Sequence, residues 1–200
     1  MDVAQTYDNL ADQYHLIFEN WELSIERQAA ALSSILCRNC GLTTTSTILD
    51  CACGIGTQSL GLAKLGFRGT GCDVSSRAVE RARREALRRN LSIQFSAANM
   101  LNLTCLAKSN FDAVICMDNS LPHLETAAHL LQAAEQIRSK LHPGGFLMAS
   151  IRDYDHLAEE RPIVQGPSFY LDHGRRRIVF QVWDWVDTRL YIFHLYQMSP

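Results

Sequence analysis

The sequence predicts an α/β protein with a mainly parallel, doubly wound sheet and an antiparallel C-terminal hairpin, and three observations predict it. The run Ile48-Leu49-Asp50-Cys51-Ala52-Cys53-Gly54-Ile55-Gly56-Thr57 joins an apolar strand to a turn of small residues that opens a helix. Gly69-Thr70-Gly71-Cys72-Asp73 closes a second short strand on an acid. Strand-like and helix-like segments then alternate as far as residue 151, which implies a parallel sheet covered on both faces.

The elements follow in order. Residues 20–40 read as a helix with Leu23, Ala30 and Leu32 among its apolar positions, 47–51 as the first strand, 57–65 as a helix and 69–72 as the second strand. Ser75 or Ser76 caps a helix running to about Asn90. The third strand is 93–96, the fourth 111–117 and the fifth 145–151. A helix over 124–141 ends before Pro143-Gly144-Gly145, which supplies the turn into the fifth strand. Beyond it, Arg176 to Trp185 and Arg189 to Gln197 are two β-rich runs separated by Val186-Asp187-Thr188. They are either the last strands of one small sheet or an added antiparallel layer with the usual closing elements absent. The second reading is preferred. It leaves a sheet edge to be covered, for which a homodimer is one solution.

Composition narrows the function classes. At 200 residues the chain fits one domain with an ample core, and a net charge of −2 gives no global attraction to nucleic acid or anionic membranes. The expected partner is a small molecule. No apolar run approaches the ~20 residues needed to span a bilayer, and the N-terminus lacks a basic region followed by an apolar one, which reads as cytoplasmic. Among the seven cysteines, Cys51, Cys53, Cys72 and Cys116 lie in apolar runs where a thiol acts as a small hydrophobe. Cys37 and Cys40 have the spacing of a metal pair, but no second pair completes four ligands, so no metal is assigned.

The chemistry concentrates at the first turn. Asp50 places a carboxylate at the carboxyl edge of the sheet, and Ala52, Gly54 and Gly56 let a ligand approach backbone N–H groups. Asp73 stands where doubly wound sheets place the acid that grips ribose hydroxyls. A dinucleotide-dependent oxidoreductase is one reading, but its fingerprint wants glycines where this chain has Ala52 and Ser59. Arg77, Arg81, Arg83, Arg84, Arg88 and Arg89 crowd one helix. They admit a non-catalytic, RNA-associated reading, although the stripe Val79, Ala82 and Ala86 makes them the solvated face of a crossover helix.

Asp-Cys-Ala-Cys-Gly-Ile-Gly-Thr resembles the first motif of class I S-adenosylmethionine-dependent methyltransferases, a Rossmann-like family. Ala97-Ala98-Asn99-Met100, Cys116-Met117-Asp118-Asn119-Ser120-Leu121-Pro122-His123-Leu124, Leu141-His142-Pro143-Gly144-Gly145 and Arg152-Asp153-Tyr154-Asp155 resemble its glycine and sarcosine N-methyltransferase branch. The resemblance covers residues 7–155 and the hairpin loosely. It implies S-adenosylmethionine as cofactor, S-adenosylhomocysteine as product and a small amine as methyl acceptor. Asp50 would then face the methionine end, Asp73 and Val74 the ribose, Asn99 and Met100 the adenine, and Met117 the sulfonium, with His123 supporting the pocket. Asn119 would sit beside the acceptor amine and Arg152 grip the acceptor carboxylate, unless Arg152 is simply paired with a nearby acid. His123 could equally be a helix-start residue bonded to backbone. Tyr7 to Tyr14 resembles an N-terminal lid in which Tyr14 leans over the cofactor, and Arg27 would hold the methionine carboxylate. Tyr14, Phe18 and Trp21 also have the spacing of residues that pack a lid on the core. The expected organisation is one domain, with a helical lid over 1–45, a cofactor-binding core over 46–155 and substrate-side strands over 156–200.

Overall fold

The computed structural model of the chain describes residues 2–172, 174–188 and 190–198. Its elements are α1 (Val3–Leu10), a 3-10 turn (Tyr14–Ile17), α2 (Trp21–Cys40), β1 (Thr47–Asp50), α3 (Thr57–Lys64), β2 (Arg68–Asp73), α4 (Ser76–Arg88), β3 (Gln94–Ala97), β4 (Phe111–Cys116), a 3-10 turn (Leu121–His123), α5 (Ala127–Lys140), β5 (Leu141–Ala149), α6 (Tyr154–Glu160), β6 (Val164–Asp172), β7 (Arg175–Trp185) and β8 (Tyr191–Met198). They form two compact units. One gathers the chain up to His15 with Trp21–Ile151, the other Leu16–Asn20 with the residues from Arg152 onward.

The first unit is the doubly wound sheet, strand order β3-β2-β1-β4-β5, and all four ladders are parallel. Successive strand residues face opposite sides, so Leu49, Cys51, Val114 and Cys116 pack on one face with Ile137 of α5. Ile48, Ala113 and Ile115 pack on the other with Leu32 and Leu36 of α2 and Leu62 of α3. A strand buried on both faces has no polar alternation to display, which is why these segments read as short apolar runs. The chain turns to β2 and β3 on one side of β1 and to β4 and β5 on the other. A crevice therefore opens between the carboxyl ends of β1 and β4, where ligands of such sheets sit.

The arginines of α4 are engaged within this unit. Glu85, 5% exposed, accepts from Arg81 at 3.0 Å, pairs with Arg88 at 2.7 Å and also pairs with Arg89. Arg81 and Arg89 lie over the Trp21 ring at 5.6 and 5.2 Å, and Arg83 donates twice to the Phe95 carbonyl. Glu85→Ala is expected to lower the unfolding free energy by about 3 kcal/mol, because it removes the buried acid that Arg81, Arg88 and Arg89 share. A urea titration checks this, and an unchanged midpoint would count against it.

The larger differences from expectation are three, the other boundaries moving by one or two residues. β5 starts at Leu141, and Pro143-Gly144-Gly145 forms a bulge inside it, the register jumping from Phe111↔Leu141 to Ala113↔Phe146. The helix expected from residue 124 starts at Ala127, where Thr126 accepts from the His129 N–H. The expected C-terminal hairpin is present as β7 and β8, and β6 joins it to make a three-stranded antiparallel sheet, order β6-β7-β8. β6 escaped the sequence reading because Gly166-Pro167 interrupts its alternation, and its register shifts between Gln165 and Ser168. α6, capped by Asp153 at the His156 N–H, escaped it too, being only 7 residues long.

In the second unit Arg177 is 4% exposed and donates to the carbonyls of Leu16 and Phe18, the latter at 3.2 Å. Of the run Arg175-Arg176-Arg177 it alone is buried. Trp183 stacks on Tyr191 with ring centroids 4.4 Å apart, and the Arg152 guanidinium lies 5.1 Å from the Trp183 ring centroid.

Candidate functional site

The site grows from the turn after β1. Cys51 N–H donates to Ile115 O at 3.0 Å and Cys53 N–H to Cys72 O at 2.9 Å, so the turn is stitched to β4 on one side and β2 on the other. Gly54 has φ +50°, and a Cβ there would meet nothing within 4 Å, so its backbone faces open space. Gly56, the N-cap of α3 at φ +93°, serves packing instead, a Cβ there lying 3.3 Å from Ala82 and Leu60.

That open space belongs to a cavity of about 370 Å³ walled by α1, this turn and the loops after β2, β3 and β4. The Asp73 carboxylate accepts from Gly54 N–H at 2.8 Å through Oδ2 and from Ser75 N–H at 2.9 Å through Oδ1. Burial pushes its pKa upward, while these N–H groups pull it down. Both oxygens keep lone pairs for further donors. Asn99, Met100 and Leu101 supply the next stretch of wall, with Asn99 Oδ1 accepting from Leu101 N–H at 2.9 Å. His123 faces Tyr7 from the opposite side, Nε2 and the phenol oxygen 2.9 Å apart. Burial lowers the His123 pKa, which favours the neutral ring.

α1 is latched over the cavity by Asp8, whose Oδ1 accepts from Ser75 Oγ at 2.6 Å and Arg77 N–H at 3.0 Å. Tyr7 and Tyr14, ring centroids 6.0 Å apart, line the cavity from this side.

Of the residues singled out by sequence, Tyr14, Ala52, Gly54, Asp73, Val74, Asn99, Met100 and His123 line the cavity. Arg27 does not. The buried stripe of α2 is Trp21, Ile25, Ala29, Leu32 and Leu36, which leaves Arg27 on the exposed face. Its neighbour Gln28 instead reaches the cavity residue Gln58, the amides meeting at 2.6 Å. Gly56 and Met117 lie outside the lining, Met117 packing against the sheet core beside Ile115. Asn119 follows β4 with φ +66°, its N–H donating to Ser150 O at 3.3 Å. Arg152 belongs to the second unit. Sequence reasoning passed over Gln58 and Asp118, both on the wall. The available signal was Asp118-Asn119 directly after a strand, a pair of types that tolerate positive φ.

Asp50 lies beneath the turn. It is 2% exposed, does not line the cavity, and accepts from Ser59 Oγ at 2.7 Å. Ser59, standing where a dinucleotide fingerprint has its third glycine, thus serves this buried acid. Burial raises the Asp50 pKa to about 7, against the Ser59 and Ala52 hydrogen bonds and with added repulsion from Asp73 and Asp118. The unfolded chain titrates this carboxyl near about 3.9, so between about pH 4 and pH 7 the native state binds more protons and its stability falls as pH rises. Asp50→Asn is expected to remove that slope. Unfolding free energies of both proteins at about pH 5 and about pH 8 test it, and identical pH dependence would refute it.

Residues 48–145 match the methyltransferase domain family. Those residues carry a methyltransferase domain. The chain is 34% identical over 135 residues to glycine N-methyltransferase of Rattus norvegicus, covering 62% of this chain and 46% of that one. It is 34% identical over 113 residues to glycine/sarcosine N-methyltransferase of Parasynechococcus marenigrum (strain WH8102), covering 56% of this chain and 40% of the relative. The chain thus spans less than half the length of either relative. The CcbJ methyltransferase from Streptomyces caelestis superposes with a TM-score of 0.75 at 20% identity, over 100% of this chain and 77% of that one, a likeness of fold. The site fits S-adenosylmethionine, the cofactor of this family. Gly54 leaves backbone open to the cavity, Asp73 offers a carboxylate and the β3 loop offers an amide. Among the described residues no cluster of metal-binding side chains occurs and no helix is long and apolar enough to cross a membrane.

Proposed function

We propose that this methyltransferase moves the methyl group of S-adenosylmethionine to the amine nitrogen of a small acceptor of the glycine or sarcosine type. The observation that carries the cofactor half is the Asp73 carboxylate on the cavity wall, fixed by Gly54 N–H at 2.8 Å. Asp73 would accept from the ribose hydroxyls, with Val74 beside them. The Asn99 amide and the Met100 side chain would hold the adenine, and Ala52 with Gly54 would give backbone contact to the rest. His123 and Tyr7, bonded to one another, would close the side under α1.

The cofactor supplies an electrophilic methyl on a sulfonium, so what remains for the chain is placement of an amine lone pair in line with it. In the acceptor half of the reading Asn119 would meet the amine and Tyr14 would shield the site from water. The relatives' names support an amino-acid acceptor. The test is transfer of labelled methyl from S-adenosylmethionine to glycine, sarcosine, RNA or no acceptor. Label on glycine or sarcosine supports the proposal. Label on RNA alone, or turnover indifferent to added amine, overturns its acceptor half and leaves the cofactor half standing.

A further inference from the structure

S-Adenosylmethionine carries two positive charges, on its sulfonium and its α-ammonium, against one carboxylate. A cavity that holds it well presents an anion to the methionyl end. Asp50, the acid the sequence points to first, is sealed under the turn and does not line the cavity. Among the described lining residues there is no lysine or arginine, and the carboxylates are Asp2, Asp73, Asp118 and Glu125. Asp2 and Glu125 are exposed, and Asp73 is tied to the β2 loop through Gly54 and Ser75.

Asp118 is exposed as well, and it differs from these three in having a buried side chain as its partner. It stands at the carboxyl end of β4, beside the crevice between β1 and β4, and its Oδ2 accepts from Gln58 Nε2 at 2.6 Å. Gln58 is 4% exposed and held in turn by Gln28 Oε1 at 2.6 Å, so the carboxylate has a fixed partner in the first turn of α3. The backbone is specialised as well. Asp118 and Asn119 have φ +53° and +66°, two consecutive residues in a region that side chains rarely adopt, pinned by Asp118 N–H to Ser150 Oγ at 2.9 Å and Asn119 N–H to Ser150 O at 3.3 Å. Such conformations persist where surroundings over-determine them, and they gather at ligand clamps.

We propose that Asp118, aimed by Gln58, is the residue that recognises the positively charged methionyl end of S-adenosylmethionine. The proposal rests on the cavity being the cofactor site. Burial raises the Asp118 pKa, partly offset by Gln58, and a cation alongside favours the ionised form. One carboxylate oxygen faces Gln58, and the other retains acceptor capacity.

The experiment is calorimetric titration of wild type and Asp118→Asn with two probes, S-adenosylmethionine and 5′-methylthioadenosine, which keeps the adenosyl thioether and lacks both charges. Asparagine tolerates positive φ, so the loop conformation survives, and a thermal melt confirms the fold. The variant is expected to bind S-adenosylmethionine about tenfold more weakly and 5′-methylthioadenosine as tightly as wild type, the loss expected for one charge-assisted contact. Gln58→Leu is expected to weaken S-adenosylmethionine binding by less and to leave 5′-methylthioadenosine binding unchanged. Equal weakening for both probes would make Asp118 a structural residue and overturn the proposal, as would no change for either. A wild type that binds neither probe would overturn the cofactor assignment, and this proposal with it.

Discussion

Asp73→Ala is expected to weaken S-adenosylmethionine binding by more than about a hundredfold. Hydrogen bonds to a charged group contribute about 1.5–3 kcal/mol each, and the proposed grip on two ribose hydroxyls uses two of them. The substitution also strips Gly54 and Ser75 N–H of their acceptor, loosening the turn and the start of α4 together. Asp73→Asn keeps an acceptor for one of those donors and is expected to fall between wild type and alanine. Calorimetry with S-adenosylhomocysteine, NAD serving as control, measures the series. Unaltered affinity in the alanine variant would place the ribose elsewhere.

The second large effect is on packing. A Cβ on Gly61 would lie 2.6 Å from Ala29 Cβ and 2.6 Å from Ile25 O, so α2 and α3 approach with no room for a side chain. Ile25 O is backbone and cannot rotate away, so accommodation requires α2 itself to move. Gly61→Ala is expected to cost about 1–3 kcal/mol and Gly61→Val more, despite their removing a glycine from a helix interior. Urea midpoints test this directly. α2 also carries Trp21, whose indole N–H donates to Thr57 Oγ1 at 2.9 Å, and Gln28, the partner of Gln58. The valine variant is therefore expected to lose cofactor affinity along with stability. A variant as stable as wild type would show that the helices can separate without penalty.

The parallel sheet was legible because its information is local. β1 and β4 are apolar runs bounded by turn residues, and the glycine pattern after β1 announces a backbone open to a ligand. The contribution of a single helix position to the site is not local in that way. Arg27 and Gln28 are neighbours in sequence, and which one points towards α3 depends on the rotation of α2 set by Ile25, Ala29 and Leu32. The same holds for Asp50, whose side follows from the burial of Ser59 beneath the turn. Asp118 went unread because a positive-φ pair is a property of the folded loop, and its partner Gln58 lies 60 residues earlier. β6 was obscured by the Gly166-Pro167 break, which no hydrophobic period spans.

The Asp8 latch gives the site a kinetic character. Asp8 accepts from Ser75 and Arg77, and Ser75 N–H also donates to Asp73, so the carboxylate proposed to grip the ribose and the first helix share one short loop. Raising α1 breaks hydrogen bonds at the same residues that a bound nucleoside would order. Linkage then requires that occupancy of the cavity suppress opening of α1 by the factor by which opening weakens occupancy. Residence time of the ligand and hydrogen exchange of the α1 amides become two readings of a single local unfolding equilibrium.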